Sequence, residues 1–292
     1  KLANKAFGQG QRSDPNYVNS WVGQALTAEI MGREEAMDLF RHSTQLGQNQ
    51  QGGLGYGNWV CQSLLATTSD VNSYSIYNMH AIPVACDALN WYIEKNPNDG
   101  GAWNMLGILT ERMGLKKNSL KSYENAYKLS EKVYRDLAAT NYGRILAKLE
   151  RYSEAIKIFQ EVQEATFNSV TGLALALYKD KQFEESYGAY EQALHWLTEE
   201  QNSQSDLLVA LASIAYMFQG ADAAKTLLFQ SIELKPPSPW SLYAILSLAI
   251  LHKDLKLAKL ASGELEILKN TEDCLKNYAL LKSYAYLLQV SK

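Results

Sequence analysis

The chain has 292 residues, 47% hydrophobic and 20% charged, with 28 basic against 31 acidic side chains and a formal net charge of −3. That composition allows a large buried interior, as one or two compact domains or as one continuous array. It excludes the overall positive charge that draws a protein to nucleic acid or to an anionic membrane.

Taken in order, Ala3, Phe7, Gly10 and Pro15 have the spacing of the second helix of a helix pair with its closing proline. The first helix of that pair is missing, so residues 1–15 read as a partial repeat of a segment cut from something longer. Asp14-Pro15-Asn16 is a helix-ending turn, because proline cannot continue a helix and biases the residue before it away from α. Trp21 begins the next first helix, Ala25 is its small residue and Gly32 ends it. Ala36, Phe40 and Ser43 form the second helix of this repeat, 17–46.

Residues 45–57, QLGQNQQGGLGYG, are the most polar stretch and read as a flexible connector between repeats. The glycines at 52, 53, 55 and 57 resemble a phosphate loop in composition only: no strand precedes them and no Gly-Lys-Ser/Thr follows. An irregular repeat over 54–97 places Trp59 on a first helix and Ala85, Leu89 and Tyr92 on a second, with an insertion around 69–77 between them. Pro83 falls in the first turn of that second helix, where its missing N–H costs little.

Residues 100–133 carry the clearest unit. Trp103, Leu106 and Gly107 stand at W-x2-L-G spacing, and Ser119, Tyr123 and Ala126 follow as small, aromatic, small. This is the tetratricopeptide pattern, two helices in about 34 residues. Small residues let the two helices cross closely, large ones fill the holes beside them, and each pair needs neighbours to cover its apolar face. The remaining units are 136–167 (Gly143, Ala155, Phe159), 169–200 (Ser186, Tyr190, Ala193), 205–237 (Ala224, Leu228, Ser231) and a weak 239–270 opened by Trp240. An amphipathic helix over 272–290 closes the chain. Pro15, Pro97, Pro236, Pro237 and Pro239 lie between units, and no alternating run competes for β-structure. The expected fold is therefore all-α: a tetratricopeptide-repeat α-solenoid, a right-handed superhelix of antiparallel helix pairs, spanning 1–292 as a single segment. Its expected packing residues are Trp21, Ala36, Phe40, Trp103, Leu106, Gly107, Tyr123, Ala126, Gly143, Ala155, Phe159, Ser186, Tyr190, Ala193, Ala224 and Trp240.

Little in the chain speaks for catalysis. His42, His80, His195 and His252 fall on different units, and no H-E-x-x-H or paired C-x2-C spacing supplies metal ligands. Cys61, Cys86 and Cys274 are scattered and odd in number, the usage of a reducing compartment without a disulfide frame. Cys61 and Cys86 read as small buried apolar residues rather than nucleophiles. No signal peptide is visible, and the apolar runs at 207–218 and 240–251 are well short of the roughly 20 residues a membrane span requires. No cofactor, metal or catalytic residue is expected, so an enzyme built on a helical array ranks below a binding protein.

Binding should fall on the concave face, lined by the first helices of the pairs. The repeat register places Asn104, Glu111, Arg112, Arg144, Lys148, Tyr178, Lys179 and Tyr216 there. Each alone reads first as a solvated surface residue; together they make a groove with both charge signs, and Arg144, Lys148 and Tyr178 are its expected anchors. A carboxylate clamp of the chaperone-binding kind is not matched, because Val22, Leu26, Ile108 and Thr140 occupy the corresponding first-helix positions. Direct RNA binding lacks a basic stripe interleaved with aromatics. The 18 Tyr and 6 Trp recur instead at repeat packing positions.

Several stretches outside the repeat consensus carry a more specific likeness. DPNYVNSWVGQALTAE, DLFRHSTQL, GLGYGNWVC, YNMHAIPVACDAL, NYGRILAKLERYSEAIKIF, GLALALYKDKQFEESYGAYEQAL and DAAKTLLFQSIELK resemble the large tetratricopeptide subunits of the Ski complex in animals. The likeness runs in one order across nearly the whole chain and points to a segment from the C-terminal half of such a subunit. It implies a non-catalytic scaffold that holds a DExH RNA helicase and WD-repeat subunits. That assembly feeds RNA to the cytoplasmic exosome for 3′–5′ mRNA decay and RNA surveillance. It implies a cytoplasmic protein, with a nuclear pool allowed. Individual contact residues do not carry over, and a generic tetratricopeptide adaptor or an RNA-binding solenoid are the alternatives.

Overall fold

The computed structural model describes residues 2–65, 80–194, 196, 201–234 and 239–267. Among them are fifteen α-helices and no strand. The chain divides into two compact units, the first comprising 1–150 and 161–164, the second 151–160 and 165–292. The expected insertion around 69–77, His195, Pro236, Pro237, Cys274 and the closing helix at 272–290 lie outside the described residues.

The first unit holds α1 (Leu2–Ser13), α2 (Val18–Ile30), α3 (Ala36–Leu46), α4 (Gln50–Leu65), α5 (Ala81–Lys95), α6 (Gly100–Arg112), α7 (Lys116–Leu129) and α8 (Lys132–Lys148). Each helix packs on the next, and the first helices of successive pairs also touch: α2 on α4, α4 on α6, α6 on α8. Two tryptophans fix the entry to a pair in the same way. Trp21 Nε1 donates to the Pro15 carbonyl at 2.8 Å and Trp103 Nε1 to the Pro97 carbonyl at 2.9 Å. Each proline thus ends one helix and accepts from the ring that starts the following pair. Asp99 caps α6, its Oδ1 accepting from the Ala102 N–H at 3.1 Å.

Both within a pair and between successive pairs, large rings close over small residues. Phe40 lies against Gly55 and Tyr123 against Gly107. The core runs continuously from Ala25 through Phe40, Tyr56, Val60, Ala85 and Leu89 to Leu106 and Leu109.

The glycine-rich stretch differs from expectation. Its glycines at 52, 53, 55 and 57 all belong to α4, and residues 50–65 are helical throughout. Glycine weakens a helix by roughly 0.5–1 kcal/mol against alanine, so something must offset four of them. Packing does. A Cβ on Gly55 would stand 2.4 Å from the Phe40 ring, one on Gly57 2.7 Å from Leu89, and one on Gly53 3.1 Å from the Ala88 carbonyl oxygen. The missing side chains let α3 and α5 press directly on the α4 backbone.

The second unit holds α9 (Tyr152–Gln160), α10 (Phe167–Lys179), α11 (Phe183–Leu194), α12 (Gln201–Phe218), α13 (Ala221–Glu233), α14 (Pro239–Leu251) and α15 (Leu255–Ile267). The pattern repeats: each helix on the next, and α12 on α14. A capping box starts α10, with the Thr166 hydroxyl accepting from the Ser169 N–H at 3.2 Å and Ser169 Oγ accepting from the Thr166 N–H at 2.8 Å. Phe159 lies against Gly172, and Ser186 Oγ donates to the Ala174 carbonyl at 2.7 Å across the α10–α11 crossing. Three fully buried hydroxyls, Ser205, Ser231 and Ser241, bond to one another at 2.5–3.0 Å and tie α12, α13 and α14 together.

Trp240 does not take the packing place expected of it. It is 51% exposed on the first turn of α14, against the Tyr243 ring at 5.9 Å, while Leu242, Tyr243, Ile245 and Leu246 enter the core. α14 is apolar almost all round, so the tryptophan's bulk is not needed to fill the interior.

Candidate partner-binding surface

In the first unit, α6 and α8 lie side by side and bring five of the eight expected surface residues onto one pair of helices or its edge. Asn141 Nδ2 donates to Asn104 Oδ1 at 3.0 Å, linking the two helices midway. About two helical turns toward the C-terminal end of α6, Glu111 receives a fork. Arg144 donates to its two carboxylate oxygens at 2.6 Å each, Lys148 donates at 2.7 Å, and the Tyr123 hydroxyl donates at 2.9 Å. The Glu111 side chain is 15% exposed, against 40% for Arg144 and 54% for Lys148. Burial alone would push the Glu111 carboxyl up. The hydrogen bonds from Arg144 and Lys148 outweigh it and hold the group at about 2. Burial, with the Glu111 charge beside it, pushes the Tyr123 hydroxyl above its ordinary value.

Arg144 and Lys148, two of the expected anchors, are thus each already bonded to a carboxylate of this chain. Both are committed to an internal carboxylate, and sequence spacing gave no sign of it because Glu111 stands 33 residues before Arg144. One carboxylate shared by two cations leaves a single net positive charge at this end of the face. Arg112 points elsewhere, its Nη2 reaching the Leu64 carbonyl at 3.4 Å in the last turn of α4.

The α8 face holds two residues the register missed. Tyr134 and Leu137 are 76% and 54% exposed. With Asn141, Arg144 and Lys148 they recur every three or four positions, which places all five on one helix face. Reading that spacing backward from Arg144 would have found them, with Asn141. The face is thus apolar toward its N-terminal end and cationic toward its C-terminal end.

In the second unit, Tyr178 ends α10 with its ring 5.7 Å from that of Phe183, and the Lys179 ammonium lies 5.9 Å from the Tyr178 ring centroid. Tyr216, on α12, meets His252 edge-on at 5.7 Å.

Cys61 and Cys86 are both buried and unpaired, and burial pushes their thiols up to about 12 and about 11. Neither is a thiolate near neutral pH. Among the described residues no group of His, Cys, Asp and Glu is arranged to hold a metal ion, and no helix is long and apolar enough to cross a membrane.

Comparison with known proteins gives no matching family model. The chain is 38% identical over 297 residues, 98% of its length, to human Superkiller complex protein 3, and covers 19% of that protein. Mouse Superkiller complex protein 3 is 36% identical over 98% of the chain, and Xenopus laevis Tetratricopeptide repeat protein 37 is 38% identical over 99%. The chain spans about one fifth of the length of these relatives, 19% in each case. Among solved structures it is similar to a tetratricopeptide repeat protein from Parabacteroides merdae, with TM-score 0.57 and 12% identity over 93% of this chain and 98% of that one. The Cut9–Hcn1 hetero-tetramer of APC/C gives TM-score 0.56 and 15% identity over 97% of this chain and 52% of that one. Pseudomonas aeruginosa pilF gives 0.55 and 17% over 80% and 99%. The structural likenesses establish the fold, an all-α tetratricopeptide array.

Proposed function

We propose, from the premise that this chain is a relative of one segment of Superkiller complex protein 3, that it is a non-catalytic protein–protein scaffold within a Superkiller-type complex. The observation that carries this is the collinear match along 98% of the chain, which extends over the Gly-rich helix and other stretches outside the repeat consensus. In this reading the chain holds a DExH RNA helicase and WD-repeat subunits in the cytoplasm. The assembled complex delivers RNA to the exosome for 3′–5′ decay and surveillance.

The α8 face is the surface offered to a partner from the first unit. Tyr134 and Leu137 supply exposed apolar area, and Arg144 with Lys148 supply a fixed positive end. Interfaces gain most of their strength from a few such anchors rather than from area. The concave-face residues Tyr178, Lys179 and Tyr216 remain candidates for contacts of the second unit.

The test is co-elution of this chain with the WD-repeat subunit and with the helicase on a sizing column at moderate salt. A complex with either is the expected result. A folded helical chain that binds neither would overturn the assignment to that complex.

A further inference from the structure

The first helices α2, α4 and α6 enclose a cleft of about 460 Å3, large enough for a short stretch of peptide. Gly55 and Gly101 are among its lining residues: a Cβ on Gly55 would turn toward the Phe40 ring, 2.4 Å away, rather than into the cleft, and Gly101 lies exposed on the first turn of α6, beside Asp99. Leu26, Leu54 and Met105 form apolar walls, each partly buried and packed on the core behind it.

The polar groups of the cleft are of two kinds. Gln51 and Asn58 stand two turns apart on the α4 face, and each amide offers both a donor and an acceptor. That is the complement of an extended backbone, which also presents both. The charged groups are Glu29 and Asp99, and no Lys, Arg or His lines the cleft. Asp99 accepts from the Ala102 N–H and from the Tyr92 hydroxyl at 2.9 Å, both neutral donors, so its charge is not cancelled. Glu29 lies in the last turn of α2, where the helix dipole adds to its negative potential rather than opposing it. An acid there does nothing for the helix.

We propose that this cleft binds an extended segment of a partner protein in which an apolar side chain stands beside Lys or Arg. The apolar residue enters between Leu26, Leu54 and Met105, the backbone pairs with Gln51 and Asn58, and the cation meets Glu29 and Asp99. A phosphate backbone is repelled by the same acids. The proposal rests on the scaffold reading and gives it a ligand chemistry, opposite in sign to the cationic end of the α8 face.

The experiment is fluorescence anisotropy of the whole 292-residue chain with a labelled peptide, Gly-Gly-Leu-Lys-Lys-Gly. Its counterparts carry Leu→Gly or both Lys→Glu. Gly101→Leu fills the mouth of the cleft from an exposed position, and Glu29→Lys reverses a rim charge. The parent peptide should bind, and each counterpart and each variant should weaken it about tenfold or more. Equal binding of all three peptides, unchanged binding by both variants, or no binding to a chain with full helical circular dichroism would overturn the proposal. If Gly101→Leu loses helicity, Glu29→Lys alone decides. Failure of the peptide while the partner subunits still co-elute sinks this proposal only; loss of co-elution by a chain that binds the peptide sinks the scaffold reading only.

Discussion

The Tyr123 ring lies across the α6 backbone at Gly107, so close that a Cβ there would stand 2.5 Å from two ring carbons. The same side chain carries its hydroxyl to Glu111 at 2.9 Å. One residue thus closes the helix crossing and completes the charged cluster above it.

Gly107→Ala must move that ring, and overpacking costs typically about 1–3 kcal/mol, more than the roughly 1 kcal/mol of helix propensity it gains. Gly188, inside α11, has nothing within 4 Å of where a Cβ would go. Gly188→Ala should therefore stabilise by about 0.5–1 kcal/mol. Urea melts of the two variants should shift in opposite directions, and a stabilised Gly107→Ala would mean the ring is not seated as described.

Glu111 gives the chain a pH signature. Its folded-state value of about 2 lies below its ordinary 4.5, so the unfolded chain takes up the proton first as pH falls. The stability it contributes is full above about 4.5 and is lost on the way down to about 2. With Arg144 and Lys148 partly open to water, we expect about 2 kcal/mol from this group. Glu111→Gln should be less stable at pH 7 and should lose that part of the acid slope. An unaltered slope in denaturant melts between pH 5 and pH 2.5 would refute the assignment.

Tyr134 and Leu137 are exposed, so replacing both with Ala should change stability by no more than about 0.5 kcal/mol each way. If their face receives a partner, the double variant should still fold and yet lose co-elution with at least one subunit. Thermal melts and the sizing column read the two effects separately.

The turns between paired helices provide a further test. Gly114 adopts φ +76° with Leu115 N–H bonded to the Thr110 carbonyl at 2.9 Å, and Lys181 adopts φ +66° with Gln182 N–H bonded to the Leu177 carbonyl at 2.9 Å. A side chain in this region costs roughly 1–2 kcal/mol. Gly114→Ala, with open space around it, should destabilise by about 1 kcal/mol through the backbone alone. Lys181→Gly should be neutral or stabilising by up to about 1 kcal/mol, the gain reduced by the greater freedom of glycine in the unfolded chain. Calorimetry resolves both signs.

The helix pairs were legible because their signals are local. Trp103, Leu106, Gly107 and Tyr123 meet within one repeat, and Pro15 and Pro97 each mark the start of a repeat by backbone chemistry alone. Glycine at 52–57 misled because helix propensity is a local average, whereas the space those residues vacate belongs to Phe40 and Leu89 on other helices. The Glu111 fork was hidden for a related reason. A charge pattern shows which residues face outward but not that a carboxylate one repeat back already holds Arg144 and Lys148. Trp240 shows that a consensus aromatic is dispensable where the helix is already apolar all round.

Within each unit, a helix touches its next and next-but-one neighbours and hardly anything beyond. No segment has to wait for a distant stretch of chain before it can bury its apolar face. As the polypeptide leaves the ribosome, each pair can close on the one made just before it, so the order of synthesis becomes the order of assembly. At each step the newest pair is the one whose apolar face still awaits a neighbour.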